Sequence, residues 1–203
     1  MIKNIIFDFG NVITRFHPNE LTAACVPDKK KQNQIIDIVF DRAYWERLDA
    51  GTITDEEAKE AMCSRLPAEL HDDARAVYDN WVKNLLPVDG MPELVAAVKK
   101  TGLKLFLLSN ISHKFATEYD DTPWIKKVFS LFDGLIFSSR LNIIKPNPAI
   151  YVHLLKTYNL RADECIFVDD NAANIAAANA LGITGILFEG SSTQLMSQLN
   201  KLL

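Results

Sequence analysis

Cysteine is scarce in this 203-residue chain: Cys25, Cys63 and Cys165 are odd in number and scattered, which excludes a disulfide framework or a cysteine zinc site. The four histidines, His17, His71, His113 and His153, show no paired metal-ligand spacing. Basic residues are also in deficit, 22 Lys and Arg against 26 Asp and Glu, so no basic stripe is available for nucleic acid. No apolar run approaches membrane-spanning length, the opening Met1-Ile2-Lys3-Asn4 lacks a signal-peptide layout, and there is no internal repeat or low-complexity segment. The expectation is a soluble, cytoplasmic chain with neither a nucleic-acid nor a membrane partner.

What is present is a set of short hydrophobic runs that each end in polar or charged residues. Ile5-Ile6-Phe7 leads into Asp8, Leu107-Leu108 into Ser109-Asn110, and Ile166-Phe167-Val168 into Asp169-Asp170. Runs of this kind read as strands buried on both faces, and helical periodicity separates the later ones, as in a parallel sheet with crossover helices. Five strands are expected, at about 4–7, 103–108, 134–137, 165–168 and 185–188, with helices at 92–100, 113–119, 124–129, 148–158, 172–181 and 193–203. The fold class is therefore α/β, a Rossmann-like doubly wound parallel sheet with an inserted helical cap.

The insertion is the stretch between the first two runs, which shows helical periodicity and no convincing strand. Asp28 caps a helix to about residue 40, residues 41–50 form another that stops at Gly51, and Thr54-Asp55-Glu56-Glu57 is a capping box opening a third to about residue 66. A fourth is expected over 72–84. Residues 16–87 are assigned to the cap, and residues 1–15 with 88–203 to the core.

Ligands of open parallel sheets bind beyond the carboxyl ends of the strands. Asp8, Ser109, Asn110, Asp169 and Asp170 would converge there, and with Lys145 they supply a nucleophile, phosphate-binding polar groups, a cation and an acidic pair. That combination points to phosphoryl transfer. Singly each signal is weak: Asp169-Asp170-Asn171 also reads as a helix N-cap, and Ser109-Asn110 as an ordinary strand-to-loop step.

In order and spacing, Asp8-Phe9-Gly10-Asn11-Val12, Ser109-Asn110, Lys145-Pro146 and Asp169-Asp170-Asn171 with Asn174 resemble the four motifs of the haloacid-dehalogenase-like hydrolases, in particular their capped phosphatase branch. The resemblance spans the chain. It implies that Asp8 attacks phosphorus to give an aspartyl phosphate, that Ser109, Asn110, Asn11 and Lys145 bind the phosphoryl group, and that Lys145 also assists Asp8 in catalysis. It further implies a magnesium ion held by Asp8, the Gly10 carbonyl, Asp170 and, as second choice to Asp170, Asp169. Three converging carboxylates and an all-oxygen ligand set suit that ion. The substrate implied is a small phosphorylated metabolite, a sugar phosphate such as alpha-glucose-1-phosphate, because bacterial sugar-phosphate phosphatases share the Asp-x-Gly-Asn-Val pattern. Trp45, with Arg42 and Arg47, is a candidate for facing substrate, packing inside the cap being the simpler reading.

One position departs from the pattern. Many family phosphatases carry an aspartate two residues after the nucleophile as general acid and base, and Gly10 stands there. Three readings follow: a phosphatase whose proton comes from substrate, water or the cap; a metal-independent haloacid-dehalogenase-type hydrolase, which needs no acid; or a non-catalytic binding protein on a disabled scaffold. With no acid at residue 10, anomeric sugar phosphates are expected to outrun phosphates of primary alcohols.

Overall fold

The computed structural model describes residues 1–203. Its strands are β1 (Asn4–Phe7), β2 (Thr14–Arg15), β3 (Leu86–Pro87), β4 (Lys104–Ser109), β5 (Gly134–Phe137), β6 (Cys165–Asp169) and β7 (Thr184–Leu187). Its α-helices are α1 (Pro18–Cys25), α2 (Lys29–Val39), α3 (Arg42–Asp49), α4 (Asp55–Cys63), α5 (His71–Asn80), α6 (Met91–Lys100), α7 (His113–Glu118), α8 (Pro123–Phe129), α9 (Pro148–Thr157), α10 (Ala172–Ala180) and α11 (Ser192–Leu202). No helix is long and apolar enough to cross a membrane.

The main sheet has five strands in the order β5-β4-β1-β6-β7, paired in parallel throughout. Period-two alternation distributes its side chains between two apolar layers. Ile5, Phe7, Leu105, Leu107, Ile166 and Val168 face the larger cluster of 29 buried residues, which also takes in α6 and α8. Ile6, Phe106, Leu108, Cys165 and Phe167 face a cluster of 11 that includes Ile150, Tyr151 and Leu154 of α9 and Ala178 of α10. Both faces are covered, which is why the strands read as continuous apolar runs. The chain leaves β1 in mid-sheet, builds one side through β4 and β5, then crosses to β6 on the other, so the ends of β1, β4 and β6 frame the crevice where the order reverses.

Helices α1 to α5, in the segment that the sequence assigns to a cap, gather around a third cluster of 11 buried residues that includes Ile35, Val39, Leu48, Met62, Val77 and Tyr78. Asp28 accepts from the backbone of Lys30 and Lys31, and the Thr54–Glu57 capping box is complete. This segment departs from the sequence expectation in four places, the first being α1 (Pro18–Cys25), which is not among the helices expected there. The third helix ends at Cys63, and the fourth runs from His71 only to Asn80. Trp81, Val82 and Leu85 turn instead into the larger core cluster, whose burial of apolar surface outweighs extending the helix. Leu86–Pro87, inside a segment expected to hold no strand, pairs antiparallel with Thr14–Arg15, and Thr14 Oγ1 donates to the Leu86 carbonyl at 2.9 Å. This two-stranded ribbon pairs the chain segments that lead into α1 and out of α5. The last strand is also one residue earlier than expected, Thr184–Leu187.

Candidate active site

Asp8 follows β1 directly, and its backbone N–H still donates to the Val168 carbonyl of β6, so the side chain is aimed from the sheet edge by a ladder bond. Its Oδ1 accepts from the Phe9 backbone N–H at 2.7 Å and lies 2.8 Å from Lys145 Nζ. Lys145 is almost fully buried. Its ammonium also donates to Asp169 Oδ2 and to the Leu108 carbonyl, each at 2.8 Å, which satisfies all three donors.

Electrostatics follow from this packing. Burial pushes the Asp8 carboxyl up to about 7, with Lys145 opposing and Asp169 reinforcing the shift. Burial acts against the charge of Lys145, yet Asp8 and Asp169 together hold it above the ordinary lysine range. The Asp170 carboxyl is raised by burial and by the neighbouring Asp169 charge, with Asn11 opposing. Candidate ligand oxygens of Asp8, Asp169 and Asp170 lie within 4.8 Å of one another. Three carboxylates balanced by one lysine leave an excess of negative charge, and the donors are all oxygen, so the cluster fits a hard divalent cation such as magnesium.

The other motif residues divide by what they touch. Asn110 lines the cavity, but both ends of its amide are engaged: Oδ1 accepts from Lys145 N at 2.7 Å and Nδ2 donates to Lys145 O at 3.0 Å. It therefore fixes the backbone that carries the lysine. Ser109 ends β4, buried, and does not line the cavity. Asn11 is in the left-handed region at φ 53°, tolerated by asparagine, and its side chain donates to Asp170 Oδ2 at 3.2 Å while accepting from Phe16 N. Asp169 is fully buried and accepts from Lys145, Asn174 and the Asn171 backbone, whereas Asp170 is exposed to the cavity.

A cavity of about 250 Å³ opens over these groups. Its floor is Asp8, Gly10, Asn11, Lys145 and Asp170, and its upper wall is supplied by Phe16, Trp45, Trp81 and Asp49. Trp45 serves two roles, since it faces the cavity and also packs against Phe16, Phe40 and Trp81 with centroid distances of 5.1–5.5 Å, Nε1 donating to the Val39 carbonyl. Arg42 and Arg47 do not line it. Phe16, Trp81 and Asp49 had not been singled out from sequence. A signal for Asp49 was available: it closes α3, where the helix dipole disfavours an acid, and stands two residues before Gly51.

A parallel sheet whose central strand leads into a buried aspartate, a lysine bridging that acid to a second, and helices that complete the cavity wall describe an α/β protein with a candidate hydrolase site. The family model for haloacid dehalogenase-like hydrolases matches residues 2–182, and the chain belongs to that family. Among relatives it is 27% identical over 184 residues to a sesquiterpene phosphatase of Aspergillus oryzae, covering 91% of this chain and 88% of the relative. It is 25% identical over 188 residues to the D-ribitol-5-phosphate phosphatase of Bacteroides thetaiotaomicron, covering 90% and 89%. Among solved structures, a family enzyme of B. thetaiotaomicron, in complex with magnesium and inorganic phosphate, superposes with a TM-score of 0.72 at 20% identity, covering 94% of this chain and 96% of that one.

Proposed function

We propose that this chain is a magnesium-dependent phosphatase of small phosphorylated metabolites that works through an aspartyl-phosphate intermediate. The observation that carries the reading is the contact of a buried lysine with Asp8 at the floor of an acidic cavity. The two named phosphatases among the relatives support it, as does the fold neighbour solved with magnesium and phosphate.

In this reading Asp8 attacks phosphorus, the ester oxygen departs, and water then cleaves the acyl phosphate to release phosphate and restore the carboxylate. Lys145 draws the phosphoryl oxygens toward Asp8 while Asp169 and Asn110 hold it in place. Asp8, Asp170 and the Gly10 carbonyl would hold the metal, with Asp169 the second choice to Asp170, since each of its oxygens already accepts two hydrogen bonds, from Asn171 N and Asn174 on Oδ1 and from Lys145 and Asn174 on Oδ2. When bound there, the ion would supply neutralisation of the phosphate charge. The acidic cluster argues against a metal-free dehalogenase, whose anion site would not gather extra carboxylates.

The finer assignment is a sugar phosphate such as glucose-1-phosphate. Phe16, Trp45 and Trp81 give the cavity an aromatic lining that suits the apolar C–H side of a sugar ring, in a cavity sized for a small molecule. The same wall suits an isoprenoid tail, which makes terpenyl phosphates a second class to test. Turnover of glucose-1-phosphate, glucose-6-phosphate, ribitol-5-phosphate, farnesyl phosphate and a 2-haloacid, with magnesium and with chelator, decides. Magnesium-dependent release of phosphate from a sugar phosphate is the expected result, and halide release in chelator would overturn it.

A further inference from the structure

The cavity wall carries one carboxylate that none of the four motifs accounts for. Asp49, the last residue of α3, lines it together with Asp8, Lys145 and Asp170. The core holds this stretch by its backbone. Ser138 Oγ donates to the Asp49 carbonyl at 2.6 Å, and Asn142 Nδ2 reaches the carbonyls of Ala50 and Gly51 at 3.0 and 3.1 Å. Gly51, at φ 64°, lets the loop press onto the core: a Cβ there would stand 2.5 Å from the Ser139 carbonyl oxygen. The Asp49 side chain is thus delivered to the cavity by contacts that do not use it, and it has no hydrogen-bond partner within the protein.

We propose that Asp49 is the general acid and base of the reaction, acting from the cap in place of the carboxylate missing at Gly10. The inference rests on the phosphatase reading above. As Asp8 Oδ bonds to phosphorus and the P–O ester bond breaks, the protonated Asp49 gives its proton to the departing oxygen. The resulting carboxylate then takes a proton from the water that attacks the aspartyl phosphate, so that alcohol and phosphate leave and both carboxyl groups return to their starting states.

The surroundings suit the role. Burial and the charge of Asp8 push the Asp49 carboxyl up to about 7, Lys145 opposes them, and Glu46 on the same helix adds to the rise. Asp170 across the cavity and His113 beside Gly51 are the other titratable groups at this junction. The position at the negative end of α3 also favours the neutral acid. A group that must start protonated loses its function as pH rises through its pKa, so turnover of esters with basic leaving groups should fall on the alkaline side of about pH 7.

Asp49→Asn keeps the shape but holds no transferable proton. With magnesium present, kcat/KM for a primary-alcohol phosphate should fall by ~10²-fold or more, within the usual range for general acid catalysis. For p-nitrophenyl phosphate, whose leaving group needs no proton, kcat/KM, which does not include the base-assisted hydrolysis of the aspartyl phosphate, should fall no more than about tenfold, and that retained activity shows the variant is folded. The alkaline fall in the alcohol-phosphate profile should disappear. If kcat/KM for both substrates falls by one common factor, or only KM changes, or the alkaline limb persists, Asp49 is a binding residue and the inference fails while the phosphatase reading stands. A wild-type chain that hydrolyses no phosphate ester overturns both.

Discussion

The Lys145 ammonium lies 2.8 Å from Asp8 Oδ1, and both groups are buried. Such a pair depends on each partner to justify removing the other from water. Lys145→Ala leaves Asp8 and Asp169 facing each other without a cation. A loss of about 3–5 kcal/mol is expected from breaking a buried pair of this kind, together with loss of turnover. Urea unfolding of the apoprotein checks it, and a variant as stable as the wild type would show that water already screens the pair.

Asp8→Asn keeps the size of the side chain and removes the nucleophile. Turnover should fall at least ~10³-fold while the fold survives, in line with loss of a residue from a catalytic unit. Activity within tenfold of wild type would exclude the covalent route, and circular dichroism with thermal melting controls for folding.

The adjacent acids Asp169 and Asp170 should separate in their effects. Activity is expected to vanish in chelator and return with magnesium. Asp170, exposed to the cavity, should when changed to Ala raise the magnesium concentration for half-maximal activity with little effect on melting. Asp169, fully buried and accepting from Lys145, Asn174 and the Asn171 backbone, should when changed to Ala lower stability by about 3 kcal/mol, since a buried lysine loses a partner. Magnesium titrations and melts on the two variants read the difference. Equal metal affinities in both variants and wild type would remove Asp170 from the ligand set.

The cap junction gives a fourth prediction. Gly51→Ala adds a Cβ at positive φ, which costs about 1–2 kcal/mol, and drives it against the Ser139 carbonyl. The loop should lift from the core, carrying Asp49 with it, so kcat/KM for alcohol phosphates should drop more than kcat/KM for p-nitrophenyl phosphate. A parallel drop in both would show that the loop serves stability alone.

How far this arrangement could be read from sequence depends on which forces set each part. The sheet was legible because its strands are buried on both faces and must be continuously apolar, so the polar residues that end them, Asp8, Ser109 and Asp169, mark the strand ends directly. The capping box and the stop at Gly51 were legible because caps act within a few residues. The end of α5 was not, because Trp81 and Val82 leave the helix to join a core cluster made by distant strands. Nor was the use of the asparagines, since Asn110 pairs with the Lys145 backbone and Asn11 with Asp170 across long sequence separations. Asp49 was the least visible of all: Ser138 and Asn142, some ninety positions further on, bring it to the cavity.

Residue 10 offers the last prediction. Reading the sequence alone, the glycine there implies steep dependence on leaving-group basicity, with glucose-1-phosphate outrunning glucose-6-phosphate. With Asp49 acting from the cap that dependence should be shallow in the wild type and steep only in Asp49→Asn. A Cβ built on Gly10 meets nothing within 4 Å, and Gly10 lines the cavity beside Asp8, so the first side-chain carbon is accommodated without displacing its neighbours. Gly10→Asp introduced into Asp49→Asn should therefore recover turnover of glucose-6-phosphate, whose alkoxide needs the proton, by about tenfold or more within the range general acid catalysis spans. Glucose-1-phosphate, which leaves as a more acidic hemiacetal hydroxyl, should gain less. Measuring kcat/KM for both esters in wild type, single variants and the double variant separates leaving-group chemistry from isomer preference of the cap, because a preference set by the cap walls is common to all four proteins. Equal gains for the two esters would mean that a carboxylate at residue 10 acts on binding or on the metal and donates no proton.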